Sequence, residues 1–256
     1  ESTHLTLGFR HDDFSNIGSQ LSPRFAWVQE LNDHHSLKLL YGEAFRAPAE
    51  NELNLLNNPV VLGNSELDPE TVQSSELIWV GQWSDTGISL GYFESHFRHA
   101  IVQVISDNTR IYENTSQDPS KGFELELTHG LNEYWILRGA YTNMIETPEL
   151  SFRDADQLAS LMVHYKHNSW HANLFATYHG QRDMPARDSS GKRITLDDYW
   201  LLFAKLKTRF SSDWQAFVQV KNILNKDYLT PPLSPSLTDG VPNRGREILT
   251  GIIWKF

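Results

Sequence analysis

Residues 200–220 read WLLFAKLKTRFSSDWQAFVQV, and this stretch decides the fold class. In its first part, one set of alternate positions is apolar from residue 200 to 206, and the positions between them are charged from residue 205 onward. The apolar positions are Trp200, Leu202, Ala204 and Leu206, and the charged positions are Lys205, Lys207 and Arg209. After the polar link 211–213, the alternation resumes at Trp214. Because successive side chains of a β-strand point to opposite faces, the stretch predicts two antiparallel strands joined by a tight turn, each with one apolar and one polar face.

The same period of two recurs about a dozen times along the chain. Residues 170–178 show it clearly, and residues 248–256 repeat it with Trp254 and Phe256 on the apolar face. Further strands are predicted over residues 2–11, 21–31, 35–45, 70–83, 86–104, 111–130, 133–145 and 157–167. Aromatic residues stand at the ends of several apolar faces, which is typical of strands that cross a membrane between two aromatic girdles. The chain is therefore predicted to be all-β, with about twelve strands.

Composition excludes several classes of protein. A membrane-spanning helix needs about 20 consecutive apolar residues, whereas the longest such run here is 199–204. The chain contains no cysteine, so disulfides, Cys-based metal sites and thiol nucleophiles are excluded. The net charge of -10 and the lack of any basic run argue against a nucleic-acid partner, because such binding depends on clustered Lys and Arg. No cofactor, metal site or catalytic residue is predicted.

The links between the predicted strands alternate between short and long. The short links are 32–34, 84–86, 131–133, 167–169 and 211–213, and the long ones are 12–20, 46–69, 146–156, 181–196 and 225–245. Since antiparallel strands reverse direction, this alternation places all tight turns at one end of the strands. Outer-membrane barrels have short periplasmic turns and long extracellular loops, whereas sandwiches mix both kinds. The pattern predicts a transmembrane antiparallel up-and-down β-barrel with its C-terminus on the periplasmic side.

The two faces of the predicted strands have different roles in such a barrel. The strand face that carries Trp254 and Phe256 is predicted to contact lipid. The opposite face is predicted to line an aqueous or protein-filled lumen. The predicted lumen-facing residues are His171, Asn173, Lys205, Lys207 and Arg209. Glu94 is an exception, because the alternation places this charged residue on the face that contacts lipid. A charge near the membrane midplane costs about 2–4 kcal/mol, so Glu94 is expected either at a bulge or above the membrane.

Five local motifs resemble the C-terminal barrel half of TonB-dependent outer-membrane transporters. In chain order they are Tyr41-Gly42-Glu43-Ala44-Phe45-Arg46-Ala47-Pro48, Leu67-Asp68-Pro69-Glu70, Lys121-Gly122-Phe123-Glu124-Leu125-Glu126-Leu127, Val220-Lys221-Asn222-Ile223-Leu224-Asn225-Lys226-Asp227-Tyr228, and Pro242-Asn243-Arg244-Gly245-Arg246. The resemblance implies that residues 1–256 are the C-terminal portion of a barrel of about 22 strands around a plug. Because a strand begins at residue 3 with no signal sequence before it, the chain is expected to be a fragment or one part of a split receptor.

The resemblance also implies energy-coupled import of a scarce nutrient, such as a ferric siderophore or cobalamin. The implied partners are outer-membrane lipid, the plug with the remaining strands, the TonB-ExbB-ExbD complex acting through the plug, and the nutrient. Ligands are held by extracellular loops, whose candidate residues here are Arg46, Asn51, Glu52, Asn54, Arg182, Arg187, Lys192 and Arg193. Haem is not favoured, because no histidine stands in the loop 47–69, where haem receptors are expected to carry an iron ligand.

Two other classes of protein remain to be compared. An independent twelve-stranded pore would need its first strand to pair with its last. An outer-membrane lipase would need a Ser-His site that faces lipid, but His171 and His179 have the lumen parity and no nucleophile motif is present. A non-enzymatic transporter is the favoured interpretation.

Overall fold

A computed structural model describes residues 2–14, 18–106, 109–234 and 237–255. Phe256, predicted to face lipid, lies outside the described residues. Up to residue 130, the described elements are β1 (Thr3–Phe14), β2 (Gly18–Asn32), β3 (His35–Arg46), α1 (Glu50–Asn54), β4 (Val61–Leu62), β5 (Glu70–Gln82), β6 (Thr86–Arg98), β7 (Ala100–Ser106), β8 (Thr109–Thr115) and β9 (Ser120–Gly130). No described helix has the length and apolar character needed to cross a membrane.

The second half of the chain contains ten further strands among its described residues. They are β10 (Trp135–Glu146), β11 (Gln157–His167), β12 (Trp170–His179), β13 (Arg182–Arg187), β14 (Arg193–Leu196), β15 (Tyr199–Arg209), β16 (Trp214–Lys221), β17 (Leu229–Thr230), β18 (Val241–Pro242) and β19 (Glu247–Trp254). A 3₁₀ turn at Glu149–Ser151 precedes β11. The chain divides into two compact units, and the first comprises residues 1–79, 91–122 and 146–149. The second unit comprises residues 80–90, 123–145 and 150–256.

Twelve of the described strands form one sheet in the order β1-β2-β3-β5-β6-β9-β10-β11-β12-β15-β16-β19. The order follows the chain, and neighbouring strands run antiparallel, which confirms the predicted up-and-down arrangement. In the described part of the chain, β1 and β19 are the two edges of this sheet. The hairpins β13–β14 and β17–β18 lie in the long links 181–196 and 225–245. A three-stranded sheet, β4–β8–β7, combines β4 of the link 46–69 with β7 and β8, which lie between β6 and β9.

The register between strands aligns the apolar positions of the second unit. Leu174 pairs with Ala204, Ala204 with Val220, and Val220 with Ile248. We call the face that carries these residues the apolar face and the opposite one the polar face. The large side chains on the apolar face that remain exposed are Trp135, Tyr141, Leu161, Trp170, Leu174, Trp200, Leu206, Trp214, Ile248, Ile252 and Trp254. A water-soluble sandwich would cover such a face with a second sheet, but no described element of the second unit covers it.

Two predicted strands are each divided in the structure. The predicted strand 86–104 ends at Arg98, where His99 adopts a left-handed conformation with φ 53°. The chain then leaves the main sheet as β7, which pairs with β8. The predicted strand 111–130 is likewise divided into β8 and β9. The alternation continues across both breaks, so the period of two alone could not locate them.

The first predicted long link was wrong. Residues 12–20 were expected to form a loop, but Asp12 pairs with Gln20, Asp13 with Ser19, and Phe14 with Gly18. The strands β1 and β2 therefore continue through most of this segment. Most side chains of this segment are polar, whichever face of the strand they lie on. A strand that extends beyond its apolar part needs no apolar face. The sequence of the segment therefore resembled that of a loop. The five short links are confirmed as tight connections.

Glu94 lies on the same face as its neighbours Tyr92 and His96, so no bulge separates them. The Tyr92 hydroxyl donates to Glu94 at 3.2 Å, and His96 Nε2 lies 2.9 Å from the Glu94 carboxylate. Glu94 is the ninth residue of β6, counted from the tight turn, and is therefore near the loop end. Glu43 is likewise the ninth residue of β3 and accepts a hydrogen bond from the Tyr41 hydroxyl. This repeated arrangement indicates a position beside an aromatic girdle.

Replacement of Gly251 by alanine is expected to destabilise the edge of the sheet. A Cβ atom at this position would lie 2.5 Å and 2.7 Å from two ring carbons of Phe217 on β16. The ring would have to move away from β19, at a cost of about 1–3 kcal/mol. The free energy of unfolding of the complete receptor in detergent, measured by urea titration, checks this. Gly42→Ala is the matched control, because nothing lies within 4 Å of its added Cβ; equal stability of the two variants would contradict the prediction.

Candidate functional site

Arg46 lies where β3 ends and the loop 47–69 begins, in the first unit. Its Nη1 lies 2.8 Å from Glu52 Oε2, and its Nε pairs with Glu70. Glu52 also accepts a hydrogen bond from the Ala49 backbone N–H at 2.7 Å, at the start of α1. Glu70 accepts one from the Ile101 N–H at 2.6 Å. One guanidinium thus connects the end of β3, the short helix, the start of β5 and the start of β7.

The ion pair also affects the protonation of Glu52. Burial of Glu52 raises its pKa, but hydrogen bonds from Arg46 and from the Ala49 N–H lower it more, so the net pKa lies below its ordinary value. The carboxylate therefore stays ionised at neutral pH, and its attraction to Arg46 is maintained. The Phe-Arg-Ala-Pro motif therefore has a structural role, because its arginine holds the elements around the loop 47–69 together. We call this arrangement the structural junction.

The second half of the same loop is held by Asn114 of β8. Its Oδ1 accepts a hydrogen bond from the Asp68 N–H at 2.7 Å, and its Nδ2 donates to the carbonyls of Asp68 at 3.0 Å and of His99 at 2.6 Å. Leu67, next to Asp68, is buried. The Leu-Asp-Pro-Glu motif therefore anchors the loop against the β7–β8 hairpin. Asn114 was not among the predicted residues, because its role depends on backbone groups that are distant in sequence.

Two of the candidate ligand residues in this loop are open to solvent. Asn51 and Asn54 are both exposed, and Asn54 Nδ2 donates to Glu50 Oε2 at 2.8 Å within α1. Arg46 and Glu52 are instead committed to each other. The four predicted residues therefore form two pairs with different surroundings, one at the junction and one on the exposed surface of α1.

Arg182, in the second unit, is buried rather than solvated. It is 8% exposed, its guanidinium carbon lies 4.9 Å from the ring centroid of Tyr199, and its Nη2 donates to the Leu229 carbonyl at 3.0 Å. The Tyr199 ring in turn packs against Tyr228 with centroids 4.5 Å apart. Met184, next along the hairpin, is 1% exposed. Arg182 thus joins the hairpin β13–β14 to the loop 225–245 from within, which argues against direct ligand contact.

Arg193 holds the other side of this hairpin. Its guanidinium carbon lies 3.7 Å from the ring centroid of Phe152, and the Phe152 carbonyl accepts a hydrogen bond from the Asp183 N–H at 3.0 Å. Asp183 also accepts one from Thr195 Oγ1 at 2.7 Å, across the hairpin. The link 146–156 and the hairpin are therefore packed together.

The tip of the hairpin presents the two remaining candidate cations. Arg187 and Lys192 are exposed, and Arg187 Nη1 donates to the Gly191 carbonyl at 2.8 Å. Asp188 closes the turn by accepting hydrogen bonds from the N–H and hydroxyl of Ser190 and from the Lys192 N–H. Hydrogen bonds from Ser190 are the main reason that the pKa of Asp188 lies below its ordinary value. The tip is thus a closed turn that carries accessible positive charge.

Replacing Arg182 with alanine is expected to loosen the hairpin β13–β14. The change removes a buried hydrogen bond and a cation–π contact, which together contribute about 1–3 kcal/mol. Hydrogen exchange at the amides of Met184 and Ala186, which are both buried, should accelerate accordingly. Arg187→Ala at the exposed tip is the control and should leave these amides unchanged. Unaltered exchange in the Arg182 variant would contradict the role assigned to it.

Asn222 organises the loop that follows β16. It has a φ of 47° and is 4% exposed. Its Nδ2 donates to the carbonyls of Lys226 at 2.9 Å and Arg244 at 3.3 Å, and its Oδ1 accepts from the Lys226 N–H at 2.9 Å. Asn225 is also left-handed, with φ 51°, and accepts a hydrogen bond from the Arg246 N–H at 2.8 Å. The two asparagines of this motif therefore connect both ends of the loop 225–245.

The five predicted lumen-facing residues share the polar face. The register pairs Lys207 with His171, and Lys205 with Asn173, while Arg209 follows Lys207 two positions later on β15. The alternation alone predicted this common face, and the register places them there. Among the described residues, no group of three or more His, Asp or Glu side chains could hold a metal ion.

Comparison with known proteins identifies the family. Residues 1–223 match the family model for the β-barrel of TonB-dependent receptor-like proteins. The chain therefore belongs to the TonB-dependent receptor family, as part of its β-barrel, and the predicted resemblance is confirmed.

Named relatives agree with this assignment. The probable TonB-dependent siderophore receptor PirA of Acinetobacter baumannii is 33% identical over 117 residues, covering 40% of this chain and 16% of the relative. The vitamin B12 transporter BtuB of Vibrio cholerae is 25% identical over 235 residues, covering 88% of this chain and 37% of the relative. Both names describe a receptor or a transporter, which confirms the non-enzymatic prediction.

A solved structure confirms the fold. The crystal structure of a variant of the ferric enterobactin receptor of Pseudomonas aeruginosa matches with a TM-score of 0.85 at 19% identity, covering 99% of this chain and 43% of that chain. The chain thus spans less than half the length of these relatives. The all-β barrel architecture is established by this likeness.

Proposed function

We propose that the chain forms part of the wall and extracellular loops of an outer-membrane receptor that imports a scarce nutrient, such as a ferric siderophore or cobalamin. The observation that carries this proposal is the exposed apolar face of the second unit, which is continuous in register from β10 to β19. Such a face is stable against hydrocarbon, while the polar face behind it suits a water-filled or protein-filled lumen. The names of the two relatives support the nutrient classes.

The proposed arrangement in the membrane follows from the links. The tight turns lie toward the periplasm and the long loops lie outside the cell, so the C-terminus is periplasmic. Residues 1–256 belong to one barrel domain, which works with the plug and the remaining strands of the receptor. The TonB-ExbB-ExbD complex delivers energy through the plug, and outer-membrane lipid covers the apolar face.

The candidate ligand residues divide into two roles within this proposal. Asn51 and Asn54 in the first unit, and Arg187 and Lys192 in the second, are exposed and are the candidate contacts for the nutrient within each unit. The residues Arg46, Glu52, Arg182 and Arg193 keep the loops in position, because each is engaged with other protein groups. Accessible positive charge at the hairpin tip suits an anionic ferric chelate.

An independent pore is the less suitable alternative. A closed pore of twelve strands needs β1 and β19 to pair, whereas in the described part of the chain both are edges of the sheet. The two alternatives also differ in their need for energy, since a pore conducts without it.

Uptake by whole cells tests the proposal. Cells that produce the complete receptor should accumulate a radiolabelled ferric siderophore or cobalamin, and uptake should stop when TonB is deleted or the proton-motive force is dissipated. Cells without the receptor provide the background. Uptake that continues at the same rate without TonB would contradict active import and favour a passive pore.

A further inference from the structure

Four adjacent strands of the second unit carry a strongly biased charge. β11, β12, β15 and β16 contain no Asp or Glu, although acidic residues outnumber Lys and Arg by 32 to 22 in the whole chain. The same strands carry the cations Lys166, Lys205, Lys207, Arg209 and Lys221. The bias is therefore local, and it is opposite in sign to the charge of the chain.

The register places these cations on one face. Lys166 pairs with His171, and His171 pairs with Lys207, so three basic side chains stand side by side on three neighbouring strands. Lys205 and Arg209 flank Lys207 on the same face of β15. We call these five residues the cationic ladder. Lys221 is separate from it, because it lies at the loop end of β16 and pairs with Glu247.

The cationic ladder has no counter-charge within the described residues. None of its members forms an ion pair with a described carboxylate, and the Lys205 ammonium lies 5.7 Å from the ring centroid of Phe217. Lys166 and Lys207 stand on either side of His171, about 10 Å apart across two strand spacings. The ladder thus lacks negative charge among the described residues.

The position of the ladder indicates what could supply the negative charge. Lys166 lies one residue before the end of β11, and Lys207 lies two residues before the end of β15, both beside tight turns. With a rise of about 3.3 Å per residue, the ladder is within about 13 Å of the turn end of the strands, and Lys205 is its most distant member. The candidate ligand loops are at the opposite end. A nutrient held by those loops therefore does not reach the ladder.

We propose that the cationic ladder binds an acidic segment of the receptor's plug, on the periplasmic side of the lumen. This inference rests on the proposed function, which places a plug behind the polar face. The solved relative is more than twice as long as the part that this chain matches, so a receptor of that length has ample chain to supply the segment. Cations covered by a plug would be costly unless carboxylates met them.

Carbodiimide cross-linking of the complete receptor, purified from outer membranes, tests the inference. The reagent joins an amine to a carboxylate that is in direct contact with it. We expect Lys166 or Lys207 to be joined to an Asp or Glu of the plug, as identified by mass spectrometry of the peptides, and the product to be lost in a Lys166→Gln/Lys207→Gln variant. Lys192 at the exposed hairpin tip is the matched control and should form no such product.

Acetylation of lysines in the same sample measures their access to solvent and shows which results would overturn the inference. If Lys166 and Lys207 form no cross-link and are acetylated as fast as Lys192, the ladder faces open water and the inference is overturned. Protection that appears only after siderophore or cobalamin is added would assign the ladder to the nutrient instead, and would also overturn it. Cross-links without energy-dependent uptake would contradict the proposed function alone, and uptake without cross-links would contradict this inference alone.

Discussion

Replacement of Asn222 by alanine is expected to lower the free energy of unfolding by about 2–5 kcal/mol. Two physical causes contribute. The amide side chain satisfies backbone groups of Lys226 and Arg244 in a site where Asn222 is 4% exposed, and unsatisfied buried groups cost about 1–3 kcal/mol. Alanine is also disfavoured by about 1–2 kcal/mol in the left-handed conformation with φ 47°.

Two further variants separate these causes. Asn222→Gly keeps the backbone conformation without strain, so it should lose only the hydrogen-bond contribution. Asn168→Ala changes another left-handed asparagine, with φ 50°, in an exposed tight turn. Its side-chain hydrogen bond, to His167 Nε2 at 3.0 Å, is exposed to solvent, so the variant should lose mainly the strain contribution. Urea titration in detergent measures all three. An Asn222→Ala variant as stable as Asn168→Ala would refute the view that this side chain holds the loop 225–245 together.

Replacement of Arg46 by glutamine is expected to destabilise the junction of the first unit by about 1–2 kcal/mol, because both carboxylate partners are largely covered but the Arg46 side chain is 45% exposed. The change leaves the carboxylates of Glu52 and Glu70 without their shared cation. α1 and the start of β5 should separate, and the loop 47–69 should become sensitive to protease. Arg46→Lys keeps the charge but has no planar fork to reach two carboxylates, so an intermediate loss is expected.

Arg10→Gln is the matched control for this change. Arg10 pairs with Asp12 at 2.7 Å, but its side chain is 69% exposed, and exposed ion pairs contribute about 0–1 kcal/mol. Limited proteolysis and urea titration should therefore distinguish the two variants. If Arg46→Gln behaved like Arg10→Gln, the Phe-Arg-Ala-Pro motif would not be a structural junction.

The strands of the main sheet were predictable because their cause is local. A strand between an apolar and a polar environment must alternate apolar and polar side chains. Residues 200–209 show this tendency by themselves, without information from the rest of the chain. The shared face of His171 and Lys207 followed from the same rule and agrees with the register. The division at His99 did not follow, because it depends on the pairing of β7 with β8.

The roles of the loop residues were not predictable for a similar reason. Arg182 and Arg187 are five residues apart in one polar loop, yet one is buried against Tyr199 and the other is exposed. The burial of Arg182 arises in part from its contact with Leu229, 47 residues further along the chain. Sequence alone identified a cationic loop, and only the fold separates the side chains that could bind a ligand from those that hold the loop.

The most direct test of the central claim is the environment of successive residues on β15. The chain has no cysteine, so single cysteines at positions 202–207 of the complete receptor can each carry a spin label without interference. The account predicts that collisions with oxygen, which partitions into lipid, are frequent at 202, 204 and 206 and rare at 203, 205 and 207. Equal oxygen accessibility at all six positions, or access of a water-soluble nickel chelate to 202, 204 and 206, would contradict the claim that this face lies against hydrocarbon.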